Sequence, residues 1–274
     1  MNRSRSKARL GLFGIVVLTL AIAWVLIPLA YLLSMSLMSR TEVISGSYLP
    51  TTPQWENWQA VVEAGIPTNI RNSLVVALAA ALITLALATP AAWAIARRGV
   101  GGRLLSSTLL APWLLPPIVA LVPIFLLLRV AGLNNTLLGL TLVYSLVNVP
   151  VAVWLLEGFV RKIPVEIEES ATVEGAGDLR LLLRIVIPLI APGLVAVGII
   201  IGVLNYNEYL LASFITQKPE LQTLPVAISL YQGDRFAHLG RIAAASIIGV
   251  IPLYVVAVLS QRWLVSGLTS GGVK

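Results

Sequence analysis

Cysteine is absent from the 274-residue sequence, and histidine occurs only once. Without cysteine the chain can form no disulfide framework, iron–sulfur centre or thiolate zinc site. A single histidine also excludes the His-x-x-x-His pair that binds zinc from one face of a helix. Metal chemistry through these ligand sets is therefore excluded for this chain on its own.

Charge is the second scarcity, because only 11% of the residues are Asp, Glu, Lys or Arg. A soluble globular domain carries about 25%. The chain is instead 58% apolar, and its mean hydropathy is +0.91. So few charges cannot cover a surface that faces water, and an ordinary soluble enzyme is excluded.

The charged residues leave six long charge-free runs between them. These runs are 10–39, 72–96, 104–128, 130–156, 185–207 and 242–261, and each has 20 to 30 residues. About 20 apolar helical residues cross a hydrocarbon core of about 30 Å. The sequence therefore predicts an all-α membrane protein with six transmembrane helices.

The distribution of basic residues predicts the orientation. With the N-terminus in the cytoplasm, 13 basic residues lie inside and 6 outside, as the positive-inside rule requires. This bias explains the pI near 10.1 better than a nucleic-acid partner does. We predict a cytoplasmic N-terminus (1–10), a single transmembrane domain (11–264) and a cytoplasmic tail (265–274). The first helix is expected to remain uncleaved, and the predicted spans are 11–33, 70–96, 104–128, 136–158, 189–214 and 242–264.

The outside segment between the first two spans carries several prolines and two tryptophans, Trp55 and Trp58. Tryptophan favours the headgroup level of a bilayer. This segment, about 34–69, is therefore predicted to be an interfacial loop with short helices.

The one long cytoplasmic segment, 159–188, is unusually polar: it holds nine of the 31 charges. Pro164 can begin a helix, and Gly175 can end it where a turn adopts positive φ. Asp178 can cap a second helix, Leu179 to Val186, which Pro188 ends. The pattern predicts a helix-turn-helix that suits docking of a soluble partner. Alternatively, Gly175 is only a helix cap and the glutamates form a solvated face.

The residues of this segment match a known pattern. Glu169-Ser170-Ala171, three residues, Gly175, nine residues and Ile185-Val186-Ile187-Pro188 resemble the EAA loop of binding-protein-dependent ABC importers. The spacing fits without a gap, although Ser170, Glu174 and Ile187 replace the usual Ala, Asp and Leu.

Further motifs resemble the carbohydrate-importer branch, the relatives of the six-span maltose permease subunit. They are Asn72-Ser73-Leu74, Gly132-Leu133-Asn134-Asn135-Thr136, Tyr206-Asn207-Glu208-Tyr209 and the tail 267–274. The resemblance covers about residues 70–274. It implies the fold of a type I ABC importer permease (MetI-like), with 159–188 as its cytoplasmic coupling loop.

By this resemblance, the helix-turn-helix seats in a cleft of a cytoplasmic ATPase. Glu169 contacts the ATPase, Gly175 forms the turn, and the side with Ala171 and Ala176 packs closely. The implied docking residues are Glu169, Ser170, Ala171, Glu174, Gly175, Ala176, Ile185 and Pro188. The implied partners are a second homologous permease, two ATPase subunits, an extracytoplasmic binding protein and membrane lipid.

The lysines exclude ATP hydrolysis by the usual route. There are four, Lys7, Lys162, Lys218 and Lys274, and none follows a glycine, so a Gly-Lys-Ser/Thr phosphate loop is absent. We therefore expect a non-catalytic subunit that holds no cofactor. ATP and Mg²⁺ would be bound by the partner ATPase.

Glu208 is the most informative single residue, because a carboxylate in apolar surroundings normally faces a cavity or a partner helix. Together with Asn205, Asn207 and, more weakly, Asn148, it is a candidate for the substrate pathway. The alternatives for Glu208 are an interfacial carboxylate or a hydrogen-bonded anchor between helices.

The sequence thus favours a permease subunit of an ABC importer for a sugar, in the plasma membrane of a prokaryote. Glycerol phosphate, a peptide or another small polar solute is the alternative cargo. An ion-gradient transporter is the alternative class, with Glu208 as its coupling carboxylate. A membrane-embedded enzyme is disfavoured, because no span holds a pair of histidines or carboxylates.

Overall fold

The computed structural model describes residues 12–101, 108, 110–111, 116–231 and 238–269. Every long element in these ranges is a helix. The α-helices are α1 (Leu12–Ser36), α2 (Arg40–Ile44), α3 (Glu56–Glu63), α4 (Ile66–Arg98), α5 (Pro117–Val130), α6 (Leu137–Val160), α7 (Val165–Val173), α8 (Asp178–Leu181), α9 (Ile187–Tyr206), α10 (Leu210–Ile215), α11 (Leu224–Leu230) and α12 (Leu239–Thr269). A π-helical segment, Leu182–Val186, joins α8 to α9, and a 3₁₀ turn covers Pro219–Leu221.

Five helices of the described residues are long and apolar enough to cross a membrane: Phe13–Ser36, Ile66–Arg98, Leu137–Val160, Asp178–Tyr206 and Leu239–Gln261. The shorter apolar helix α5 has 14 residues. It covers the second half of the predicted span 104–128, of which 104–107, 109 and 112–115 lie outside the described residues. The all-helical membrane fold is thus confirmed, while the count of six spans stays a prediction.

The helix at the fifth predicted span, 189–214, has other bounds, and the span itself stays a prediction. Its helix begins at Asp178, runs on through the π segment as one 29-residue element, and ends at Tyr206. Pro188 does not end a helix but lies in the first turn of α9, where the missing N–H of proline costs little because the helix can relax locally around it. The chain breaks at 207–209 and resumes as α10.

The described residues form two compact units, and the smaller one comprises those within 12–64, 231 and 238–248. Within it, α2 and α3 are the short helices expected after the first span. The side chain of Asn57 donates to the carbonyls of Ser36 (3.1 Å) and Met38 (3.0 Å). Trp58 Nε1 donates to Ser36 Oγ at 3.2 Å. These bonds hold α3 against the end of α1.

Glu42 organises the turn before α2. Its carboxylate accepts from the backbone N–H of Ser39 and of Thr51, each at 2.8 Å, and from the Thr51 hydroxyl. Ser39 Oγ accepts in return from the Glu42 N–H, which completes a capping box. The hydrogen bonds from the side chain and backbone of Thr51, followed by those from Ser39, lower the pKa of Glu42 from 4.5 to about 2.

The larger unit comprises the described residues within 65–230 and 249–269, and α4 is its central helix. Small side chains of α4, such as Ala88 and Ala92, are fully buried with Ala152 of α6 and Val197 of α9. Small residues let helix backbones approach closely in a membrane. Thr84 adds a polar contact between α4 and α6, because its hydroxyl donates to the Ser145 carbonyl at 3.0 Å.

The Asn72-Ser73 pair, noted in the sequence, fixes a distant loop to α4. Asn72 Nδ2 donates to the carbonyls of Glu220 (2.9 Å) and Gln222 (3.1 Å). Ser73 Oγ accepts the N–H of Leu224 at 2.8 Å. The motif therefore satisfies buried backbone groups at the start of α11.

The Gly132–Thr136 linker is equally specific in its conformation. Gly132 (φ +68°) and Asn135 (φ +54°) are both left-handed, which glycine and asparagine tolerate best. The Asn135 N–H donates to the Ile215 carbonyl at 3.1 Å, and its Oδ1 accepts the Gln217 N–H at 2.8 Å. Thr136 then caps α6 through the Gly139 N–H.

Candidate functional site

The predicted helix-turn-helix is present as α7, a tight turn and α8, and is called the coupling hairpin (165–186) below. Gly175 has φ +88°, as the sequence predicted. Its N–H donates to the Thr172 carbonyl (2.9 Å), and the Ala176 N–H donates to the Ala171 carbonyl (3.0 Å). This pair of bonds is a Schellman motif, which ends a helix through a left-handed residue.

The second half of the hairpin differs from the prediction at its first residue. Gly177, and not Asp178, is the N-cap of α8. Asp178 lies one position inside the helix, where its carboxylate pairs with the Arg98 guanidinium at the end of α4. The charge still suits a helix N-terminus, but the side chain serves an ion pair instead of the cap.

The inner side of the hairpin packs on its own unit. Ala171, Ala176 and Ile185 are half-buried against a cluster that includes Trp93 and Val186. Three of the proposed docking residues thus contact the chain that carries them, and their contribution to a partner surface remains a prediction.

The other proposed docking residues are exposed. Glu169, Ser170, Glu174 and Gly175 lie on the outer side of the hairpin, and Pro188 follows it in α9. Exposed apolar side chains accompany them, and the most prominent are Val173, Leu179 and Leu183. Sequence analysis did not single out these three, because an apolar residue on an amphipathic helix is usually expected to face inward.

Glu168 is a second residue that sequence analysis did not assign. It neighbours Glu169, yet it is only 7% exposed. Its Oε2 accepts from Trp93 Nε1 at 2.9 Å, and its Oε1 accepts from Arg97 Nε at 2.6 Å. The available signal was the position of Glu168 three residues before Ala171, on the inner face of the same helix.

The candidate pathway residues lie at a separate place, around the break between α9 and α10. Glu208 Oε2 accepts from the Tyr144 hydroxyl at 2.6 Å. Its two carboxylate oxygens also accept the N–H groups of Leu211 (2.9 Å) and Ala212 (3.2 Å). Glu208 therefore caps α10 and anchors it to α6, as one of the alternatives for this residue expected.

Asn148 and Asn205 meet across α6 and α9. Asn148 Nδ2 donates to Asn205 Oδ1 and to the Tyr144 carbonyl, each at 2.8 Å. Asn207 is not part of this group: it is exposed, and its amide donates to the Val203 carbonyl of its own helix. The structure thus brings together three of the four candidate pathway residues.

These three residues and Tyr144 line a cavity of about 610 Å³. The rest of its wall is apolar and comes mainly from α5, α6 and α9, with Pro116, Pro117, Ile124, Val147 and Leu204 among the lining residues. A concave, largely apolar wall with a few convergent polar groups is typical of small-molecule sites. Glu208 is thus both an anchor and a lining residue.

Comparison with known proteins agrees with this geometry. Residues 85–270 match the family described as binding-protein-dependent transport system inner membrane component. The chain is 34% identical over 271 residues to the trehalose transport system permease protein SugB of Mycobacterium tuberculosis, covering 97% of this chain and 99% of that one. It is 30% identical to the melibiose/raffinose/stachyose import permease protein MelC of Bacillus subtilis, with 90% and 91% covered.

Similarity also extends to a solved structure. The crystal structure of a bacterial ABC transporter involved in the import of the acidic polysaccharide alginate superimposes with a TM-score of 0.73 at 21% identity, covering 96% of this chain and 99% of that chain. At this identity the likeness concerns the fold. Together with the family match and the two permeases above, it leaves one conclusion: the chain belongs to the family of inner membrane components of binding-protein-dependent transport systems.

Proposed function

We propose that this chain is a permease subunit of an ATP-driven importer that takes up a sugar, and that the coupling hairpin is its docking surface for a cytoplasmic ATPase. The observation that carries the proposal is the outer side of the hairpin. Acidic Glu169 and Glu174 lie beside apolar Val173 and Leu179, all of them exposed around the Gly175 turn. An exposed apolar patch with a charged rim is typical of a protein interface.

The remaining assembly follows from the family and the sequence. The partners are a second homologous permease, two ATPase subunits and an extracytoplasmic binding protein, in a prokaryotic plasma membrane. Both termini of this chain are cytoplasmic, which the surplus of inside basic residues supports. ATP and Mg²⁺ are held by the ATPase, because the sequence offers no glycine-lysine phosphate loop.

The sugar is supported by the relatives and by the cavity. Similar permeases are named for trehalose, for melibiose, raffinose and stachyose, and for sulfoquinovosyl glycerol. In the cavity wall, the buried Asn205 Nδ2 has no acceptor among the described residues. A buried donor without a partner costs free energy, and a sugar hydroxyl would supply the acceptor after a small side-chain rotation. Glycerol phosphate or another small polar solute is the alternative cargo.

The docking surface is tested with a matched pair of valines. Val173 on the hairpin is 89% exposed, and Val130 at the end of α5 is 90% exposed. This chain and the second permease are co-expressed with the ATPase, and the complex is purified through a tag on this chain. We expect Val173→Asp to lower the ATPase recovered by at least tenfold and Val130→Asp to leave it unchanged. Equal recovery with both variants would refute docking at the hairpin.

Transport is tested in proteoliposomes that hold the complete assembly. Labelled trehalose, melibiose and glycerol 3-phosphate are the probes, with the binding protein outside and ATP inside. We expect ATP-dependent uptake of one of the two sugars, abolished by Gly175→Asp in a chain that still inserts in the membrane. Uptake by this chain alone, driven by a proton gradient, would instead establish the ion-gradient transporter.

A further inference from the structure

We propose that Glu168 is a positioning residue that fixes the coupling hairpin to α4, so that the hairpin and α4 move as one body when the ATPase closes. This inference rests on the proposed function, because it assigns how the docking surface passes its motion into the membrane domain. It concerns Glu168, Trp93 and Arg97, none of which is on the docking surface.

Both oxygens of the Glu168 carboxylate are used by α4. Trp93 and Arg97 are one turn apart on that helix, so their donors point to the same side, and each binds a different oxygen. Two donors from one helix fix the carboxylate in direction as well as in distance. Trp93 and Glu168 are buried, each 7% exposed, and the side chain of Arg97 is 14% exposed.

Arg97 extends the connection to a third helix. Its Nη2 donates to the carbonyls of Val160 (2.9 Å) and Ile163 (2.6 Å), where α6 ends and the chain turns into the hairpin. One guanidinium therefore joins α4, the end of α6 and α7. A planar fork with several donors is suited to this, and a lysine ammonium would reproduce the charge but not the geometry.

The far side of the hairpin is attached as well. Arg98 pairs with Asp178 of α8, and its guanidinium lies 5.5 Å from the centre of the Trp93 ring. Because these two charged groups are exposed, their pair contributes little by itself. It adds a second contact between α4 and the hairpin, next to Trp93.

The two neighbouring glutamates of α7 thus lie in different surroundings. Glu168 points into the domain, and both of its carboxylate oxygens are bound by α4. Glu169 is exposed and available to a partner. A helix places successive residues about 100° apart, so adjacent acidic residues can serve two surfaces. We assign Glu169 to docking of the ATPase and Glu168 to transmission of the hairpin's motion to α4.

The test measures a distance within the assembled complex. The sequence has no cysteine, so two introduced cysteines can be spin-labelled without a background from this chain. The labels are placed at Glu166→Cys on α7 and Leu82→Cys on α4, both at exposed positions. Distances are recorded by pulsed electron resonance without nucleotide and with Mg-ATP and vanadate, in the background of Glu168→Gln and of its neighbour Glu169→Gln.

With Glu168 intact, we expect a narrow distance distribution that shifts by less than about 2 Å between the two states, which is within the range of small helix shifts. Glu168→Gln keeps the ATPase bound but broadens the distribution and makes it depend on nucleotide. Glu169→Gln weakens ATPase recovery and leaves the nucleotide-free distance unchanged. Arg97→Lys and Trp93→Phe broaden the distance distribution less than Glu168→Gln does. These two variants are measured instead if Glu168→Gln does not accumulate.

Two results would overturn the inference. One is a distribution that stays narrow and unshifted in Glu168→Gln, Arg97→Lys and Trp93→Phe. The other is a hairpin that moves relative to α4 between the two states with Glu168 intact. Failure of the proposed function is a different observation, because the ATPase would then not be recovered with the unaltered chain at all.

Discussion

The hydroxyl of Tyr144 donates a 2.6 Å hydrogen bond to Oε2 of Glu208, and the same carboxylate caps the short helix α10. Tyr144 is almost completely buried in α6. The bond therefore joins two parts of the chain that are 64 residues apart, at the point where α9 breaks. It also closes one side of the cavity that Asn148 and Asn205 line.

Tyr144→Phe is expected to destabilise the membrane domain by about 1 kcal/mol, because the half-buried Glu208 carboxylate loses one of its three donors. The measurement is the free energy of unfolding in mixed micelles, titrated with sodium dodecyl sulfate. Tyr254→Phe on the exposed face of α12 is the control and is expected to change little. A similar small effect for both tyrosines would mean that Glu208 does not depend on Tyr144.

Gly175→Ala is expected to strain the hairpin turn. An added Cβ would meet no atom within 4 Å, so the cost comes from the left-handed backbone alone and is about 1–2 kcal/mol. Gly177→Ala is the matched control, since its Cβ is equally free of contacts and its φ of −76° suits any residue. Hydrogen exchange of peptides from 165–181 measures the difference, and equal protection of the two variants would contradict the role of positive φ.

Gly193→Ala is expected to disturb the contact between α9 and α6. The new Cβ would lie 2.6 Å from the ring of Phe159, so the ring must move, at a cost of about 1–3 kcal/mol. Gly202→Ala in the same helix meets nothing within 4 Å and should be neutral or slightly stabilising. The measurement is the thermal unfolding temperature of each variant. A higher stability for Gly193→Ala than for Gly202→Ala would contradict the close packing.

The turn around Glu42 is expected to loosen in acid. Its carboxyl has a lower pKa in the folded chain (about 2) than the ordinary 4.5, so the folded form binds the proton more weakly. The stabilisation is complete above pH 4.5 and is lost as the pH falls towards about 2. Amide protection of peptides from 39–51, corrected for intrinsic exchange, should fall over this window. Glu42→Gln should remove the dependence, and a profile that persists in this variant would assign it to another group.

The sequence was most informative where one physical effect dominates. A bilayer excludes charge, so the charge-free runs predicted the long apolar helices, among them α1, α4, α6 and α12. Positive φ excludes most side chains, so the residue type and position of Gly175 are enough to assign it to a turn. In both cases the constraint acts on the residue itself and needs no knowledge of distant partners.

Features that depend on a distant partner were not predictable in this way. The residues around Glu168 do not indicate its hydrogen bonds with Trp93 and Arg97, which are 75 and 71 residues away in the sequence. The break at 207–209 was also missed, although Asn205, Asn207 and Glu208 are polar, because apolar residues continue on both sides of them and the whole run was assigned to one span. Pro188 was expected to end a helix, but its place in the first turn of α9 is one that proline tolerates.

The π-helical segment Leu182–Val186 preserves the phase between the hairpin and the membrane. A π turn holds one more residue than an α turn, and one residue corresponds to a rotation of about 100°. The π turn therefore holds one extra residue between α8 and α9 without a matching rotation of the hairpin. Removal of one residue from 182–186 would let this segment close as an α turn and would leave the docking surface at nearly the same angle, whereas removal of one residue within α9 would turn it through more than a quarter of a circle.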